Sequence, residues 1–145
     1  MGTTTEQLNE LIAITRDGER LYEHARKEVK DPELRELFSE MCQAKKELIQ
    51  ALAAKVEANK GEPESGRTLT GTIRQVYADI KAELTNNDAT TYISQLEKTE
   101  DRILHAFEDA LENADVGLHS LLGPEMPKVR ACHDRMRDLK KAIGK

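Results

Sequence analysis

Between Leu34 and Val56 the chain carries one long amphipathic run, and a lysine stands in the middle of its apolar stripe. In steps of three and four, Leu34, Phe38, Met41, Lys45, Leu48, Leu52 and Val56 fall on one line of a helix, so Lys45 occupies a place where Leu or Ile is expected. An unpaired ammonium in a core is strongly destabilising, so Lys45 must either snorkel to water or meet carboxylates brought by neighbouring helices. Such a stripe belongs in a multi-helix bundle whose other helices carry polar groups to the same depth.

The composition supports that class. The 145 residues suit one domain with a continuous core, and 38% hydrophobic with 34% charged residues, 3% aromatics and no Trp supplies helices while starving a β-sandwich. The net charge of −5 is interspersed rather than blocked, which gives no footprint for nucleic acid. The basic residues near the end of the chain (Arg130, Arg135, Arg137, Lys140, Lys141, Lys145) suit the negative pole of a final helix better than a polyanion site. No apolar run approaches the ~18 residues of a membrane span, and the start of the chain lacks a basic-then-apolar leader, so a cytoplasmic location without a membrane is expected. Cys42 and Cys132 are far apart with no Cys-x-x-Cys spacing and read as reduced thiols at the margins of helical faces.

Four main helices and a crossover account for the pattern. Thr3 with Glu6 is a capping box opening a helix over about 5–29, whose inner face is Leu8, Leu11, Ile12, Ile14, Thr15, Leu21, Tyr22, Ala25 and Val29. Gly18 lies at the centre of that face, where a glycine makes room for a bulky neighbour or a close helix. Asp31-Pro32-Glu33 caps and restarts a second helix over about 32–59, so the first two form an antiparallel hairpin. After the linker-like stretch 60–70, a shorter helix over about 70–84 reads as a crossover along the bundle. Asp88 caps a third helix over about 88–114, its stripe interrupted by Glu100. The fourth is expected over about 124–143, with Pro124 and Pro127 in its first turn where missing N–H groups do no harm. One long crossover between two helical hairpins is the connectivity of a ferritin-like antiparallel bundle.

Each main helix thus places a polar group on or beside its stripe near mid-length: Glu19, Lys45, Glu100 and His133, with Glu97 one turn from Glu100. Matched depth points to one buried polar layer, the place where helical bundles build di-metal carboxylate sites. A di-iron site needs Glu-x-x-His on two helices, and residues Leu21, Arg102, Val116 and Arg130 stand three before His24, His105, His119 and His133. A fixed cation at Lys45 also substitutes for a metal rather than neighbouring one. The expectation is therefore a charge-compensated network of Glu19, Lys45, Glu100 and His133. The alternatives are a degenerate iron or manganese site on Glu19, Glu97, Glu100 and His133, or side chains that merely snorkel. His24, His105 and His119 are expected to face solvent or loops, and Asp101 with His105 reads as a surface pair. No nucleophile motif or phosphate loop is present.

Several stretches taken in order, Leu11-Ile12 with Asp17-Gly18-Glu19 and Tyr22, Asp31-Pro32-Glu33-Leu34 with Leu37-Phe38, Glu97 with Glu100-Asp101, and His133 to Leu139, resemble a bacterial family of uncharacterised four-helix-bundle proteins placed in the ferritin-like superfamily as a domain of unknown function. That resemblance implies the ferritin-like fold and a cytoplasmic bacterial protein, without an established activity or cofactor. It also implies a Glu where this chain has Lys27 and an Arg where it has Lys45, so a cation at the waist fits the family's pattern. The functional expectation is a non-enzymatic stress-related or scaffolding protein that self-associates as a homo-oligomer.

Overall fold

The computed structural model describes residues 4–58, 89–112 and 116–143. Among the described residues every regular element is helical: α1 Thr4–Glu28, α2 Pro32–Ala58, α3 Ala89–Glu112, the short α4 Val116–Leu122 and α5 Met126–Ile143, with a 3-10 turn at Gly123–Glu125. The expected capping by Thr3 and Asp88 and the crossover helix at 70–84 lie outside the described residues.

The α1–α2 corner is built as its sequence dictates. Val29 N–H still donates to Ala25 O at 2.9 Å, and Arg35 Nε donates back to Val29 O at 2.5 Å, so carbonyls at the end of α1 are not left bare. Asp31 caps α2: its Oδ1 accepts from Glu33 N–H at 2.9 Å while its carbonyl accepts from Arg35 N–H at 3.0 Å.

The polarity of the helices is legible from two apolar clusters. One gathers Leu21, Tyr22 and Val29 from the end of α1, Phe38 and Met41 from the start of α2, Tyr92 and Ile93 from the start of α3, and Met136 late in α5. The other gathers Leu8 and Ile12 from the start of α1, Leu52 and Val56 from the end of α2, Ile103 and Phe107 from the second half of α3, and Met126 and Val129 from the start of α5. α1 and α5 therefore run one way, α2 and α3 the other. α2 finishes at the end of the bundle opposite to that where α3 begins.

The last helix differs from the sequence reading. Leu118 and Leu122 are fully buried in the second cluster, which holds α4 in place as a helix of its own. The Gly123-Pro124 step then tightens into a 3-10 turn, and Met126 N–H bonds to Gly123 O as α5 begins two residues later than expected. Pro124 sits in the first turn of the 3-10 segment and Pro127 in that of α5, so neither removes a bond that the helices need.

Candidate functional site

Between the two apolar clusters lies a thin polar layer centred on Lys45. Its side chain comes from α2 and is only 1% exposed, and its Nζ stands 2.8 Å from Oε2 of Glu100, which is fully buried on α3. Tyr22 of α1 donates its hydroxyl to the same oxygen at 2.5 Å. One carboxylate oxygen thus joins three helices. The ammonium also lies 5.8 Å from the centre of the Tyr22 ring, near the outer reach of a cation–π contact.

The helices bring these groups together because α1 is thinned at the same level. A Cβ on Gly18 would stand 2.9 Å from Ile103 Cδ1, 3.5 Å from Lys45 Cε and 3.6 Å from Thr99 Cγ2. The missing side chain is what lets α3 and the lysine stem approach α1, as its place on the inner face predicts. Neighbouring hydroxyls are satisfied within their own helices: Thr15 donates to Leu11 O at 2.7 Å and Thr99 to Gln95 O at 2.8 Å. The second carboxylate oxygen of Glu100, Oε1, is buried without a hydrogen-bond partner.

The electrostatics follow from this geometry. Burial, and then the charge and hydrogen bond of Glu100, push the Tyr22 phenol well above its ordinary range, so it remains a donor. Cys132 of α5 reaches the same layer. Burial pushes its thiol up, Lys45 beside it pulls the other way, and Glu100 adds to the rise. Cys42 is raised first by burial, its Sγ lying 3.6 Å from Glu19 O and 3.7 Å from Glu23 Oε2. Both cysteines are free, and protonated thiols of this kind are poor nucleophiles. A cleft of about 200 Å³ between α2 and α5, walled by Ala44, Leu48 and Val129, has Lys45 and Cys132 in its lining.

Of the four residues expected in the layer, two meet. Glu19 is half-buried, and its contact with the core is through its carbonyl rather than its carboxylate. His133 stands on the flank of α5 and turns away from Glu100: Nε2 lies 3.3 Å from Asp101 Oδ1 and Nδ1 lies 3.1 Å from Asp134 Oδ1. Asp101 also meets His105 at 3.4 Å, the surface pair read from the spacing. Glu97 is half-buried one turn from Glu100. Glu19, Glu97, Glu100 and His133 therefore do not converge, and among the described residues no three His, Cys, Asp or Glu side chains are grouped to hold a metal ion. His24, expected at the surface, is half-buried with its ring 5.6 Å from that of Tyr92. His119 is exposed, as expected.

Two participants escaped the sequence reading. Tyr22 was visible only as part of an apolar face, although a tyrosine four residues from a mid-helix glycine carries a polar tip to the depth of Lys45. Asp101 was visible only as a partner of His105; that it also serves His133 depends on the packing of α5 against α3.

Among known proteins, a family model described as a domain of unknown function (DUF2383) matches residues 3–113. No curated protein and no solved structure matches the chain. No helix among the described residues is long and apolar enough to cross a membrane.

Proposed function

The chain belongs to the DUF2383 family, and we propose that it is a non-enzymatic scaffolding or interaction module, a ferritin-like bundle whose interior is devoted to fixing helix register. The observation that carries this reading is the Lys45–Glu100 pair, closed at 2.8 Å with both side chains at or below 1% exposure. A ferritin-like arrangement is supported by the helix directions, because α1 and α2 form one antiparallel pair, α3 and α5 the other, and α2 and α3 run parallel. In that setting a lysine supplies, as a permanent charge, the neutralisation that a cation would give to a mid-bundle carboxylate. It then serves as a registry device: sliding either helix by a turn would strand two charges in a dry core. The working surface is the outside of the bundle.

The competing assignment, a degenerate iron or manganese protein using Glu19, Glu97, Glu100 and His133, is tested beside it. In urea melts, Lys45→Met alone is expected to lose about 3–5 kcal/mol, because it leaves the Glu100 carboxylate buried without its cation. Lys45→Met combined with Glu100→Leu and Tyr22→Phe is expected to recover most of that loss. A neutral single variant would overturn the registry reading. Elemental analysis of untagged protein after anaerobic incubation with Fe(II) or Mn(II) is expected to show no stoichiometric metal. Tightly held metal lost on Glu100→Ala or His133→Ala would make the competing assignment correct.

A further inference from the structure

The seam between α1 and α3 opens outward as a groove with two adjoining hollows of about 390 and 530 Å³, both lined by Glu10, Ile14, Ala106 and Asp109. Ile14 and Ala106 are half-buried and form its centre, while Glu10, Arg102, His105 and Asp109 are exposed. Gly18 lies against Thr99 and Ile103, and the two helices are antiparallel, so the register puts Ile14 level with Ala106 and Glu10 level with Asp109. Arg102 and His105 lie on the other side of that centre, four residues and one residue before Ala106. The groove thus has an acidic end, an apolar middle and a basic end. Asp17, which also lines the larger hollow on the basic side, is itself buried and contributes little outward charge. Arg102 forms no ion pair with any described residue.

We propose that the α1–α3 groove is a self-association face that takes a second copy of this chain across a two-fold axis through Ile14 and Ala106. A two-fold perpendicular to the helices turns one copy end for end, which lays the acidic end of each groove on the basic end of the other. Arg102 then meets Asp109 and Glu10 of the second copy, and it does so twice, once on each side of the axis. The same polarity disfavours a parallel, in-register neighbour, which would set like charges face to face. The small side chain of Ala106 at the centre admits Ile14 of the second copy, so apolar contact sits in the middle and charges at the rim. The proposal uses none of the buried layer and stands or falls separately from it.

Sedimentation velocity of the full chain over a concentration series is the test. The unmodified protein is expected to show a monomer–dimer equilibrium that weakens with salt. Arg102→Asp and Asp109→Arg, each placing like charges across the axis, are each expected to raise the dissociation constant by on the order of tenfold. Arg102→Asp and Asp109→Arg combined in one chain restore opposite charges across the axis and are expected to recover dimerisation. Both positions are exposed, so circular dichroism melts of all variants should coincide with the parent. A protein that stays monomeric throughout, a dimer indifferent to both single changes, or a double variant as weak as the singles would each overturn the proposal. The first outcome would assign the groove to some other occupant.

Discussion

Lys45–Glu100 and His133–Asp101 both tie together two helices through groups of opposite charge, yet they sit in opposite solvents. The first pair is 1% and 0% exposed; the second is 15% and 48% exposed. At the waist the ammonium has one carboxylate and the carboxylate has one cation, so removing either leaves an unneutralised charge where water does not reach. On the flank, Asp101 also has His105, His133 also has Asp134, and water backs up all four. The two clusters look alike as a set of residues and differ in what a missing partner costs. Burial rather than the number of contacts makes the waist the registry element.

Tyr22→Phe probes the waist without touching its charges. It removes one of the two donors on Glu100 Oε2 while Oε1 already has no partner, so the carboxylate keeps only Lys45. A loss of about 1.5–3 kcal/mol in chemical denaturation is expected, in line with a hydrogen bond to a charged acceptor. A loss below about 0.5 kcal/mol would place the hydroxyl outside the network.

Gly18→Ala tests whether the waist is also the steric pinch-point of the bundle. Alanine gains about 1 kcal/mol of helix propensity but its Cβ would press on Ile103 Cδ1, the flexible end of that side chain. The two effects should nearly cancel. In an Ile103→Val background, which removes the opposing methyl, Gly18→Ala should become stabilising relative to Gly18 by about 1 kcal/mol. Simple additivity between the two changes would show that α1 and α3 do not meet there.

These residues also show where a sequence stops being informative. Lys45 and Glu100 were both legible because each lies on the centre line of its own stripe, and depth along a helix is a local property. Glu19 and His133 lie on flanks, where one residue of offset rotates a side chain by about 100°. Whether such a residue points into the layer depends on which neighbour stands on that side. For His133 the neighbour is Asp101, and it draws the ring outward. Tyr22 had the reverse difficulty: its position was plain, but the partner of its hydroxyl lies 78 residues away on α3. The start of α5 was misplaced because the local proline rule was applied without the tertiary pull of Leu118 and Leu122, which bury α4 as a separate helix.

On the flank, Asp101→Asn should cost less than about 1 kcal/mol, since His133 keeps Asp134 and the lost charge was half in water. A cost comparable to that of Lys45→Met would erase the contrast between the two clusters.

The smallest effect belongs to a third pair, wholly on α1. Glu23 receives Arg26 Nη2 at 2.6 Å and Nε at 2.8 Å, and Lys27 lies at 3.5 Å. The hydrogen bonds from Arg26, outweighing the opposing effect of burial and joined by the charges of Arg26 and Lys27, hold the Glu23 carboxyl at about 2 against an ordinary 4.5. A carboxyl depressed in the folded state contributes stability that is fully present above the unfolded value and is lost as pH falls from about 4.5 towards 2. Arg26→Ala should therefore flatten the acid limb of the melting curve within that window and leave the region near neutrality almost unchanged. With side chains 38% and 33% exposed, most of the attraction is screened by water, and added salt should shrink the difference further. The same salt should leave the penalty of Lys45→Met almost untouched, because counter-ions do not enter the layer between the two apolar clusters.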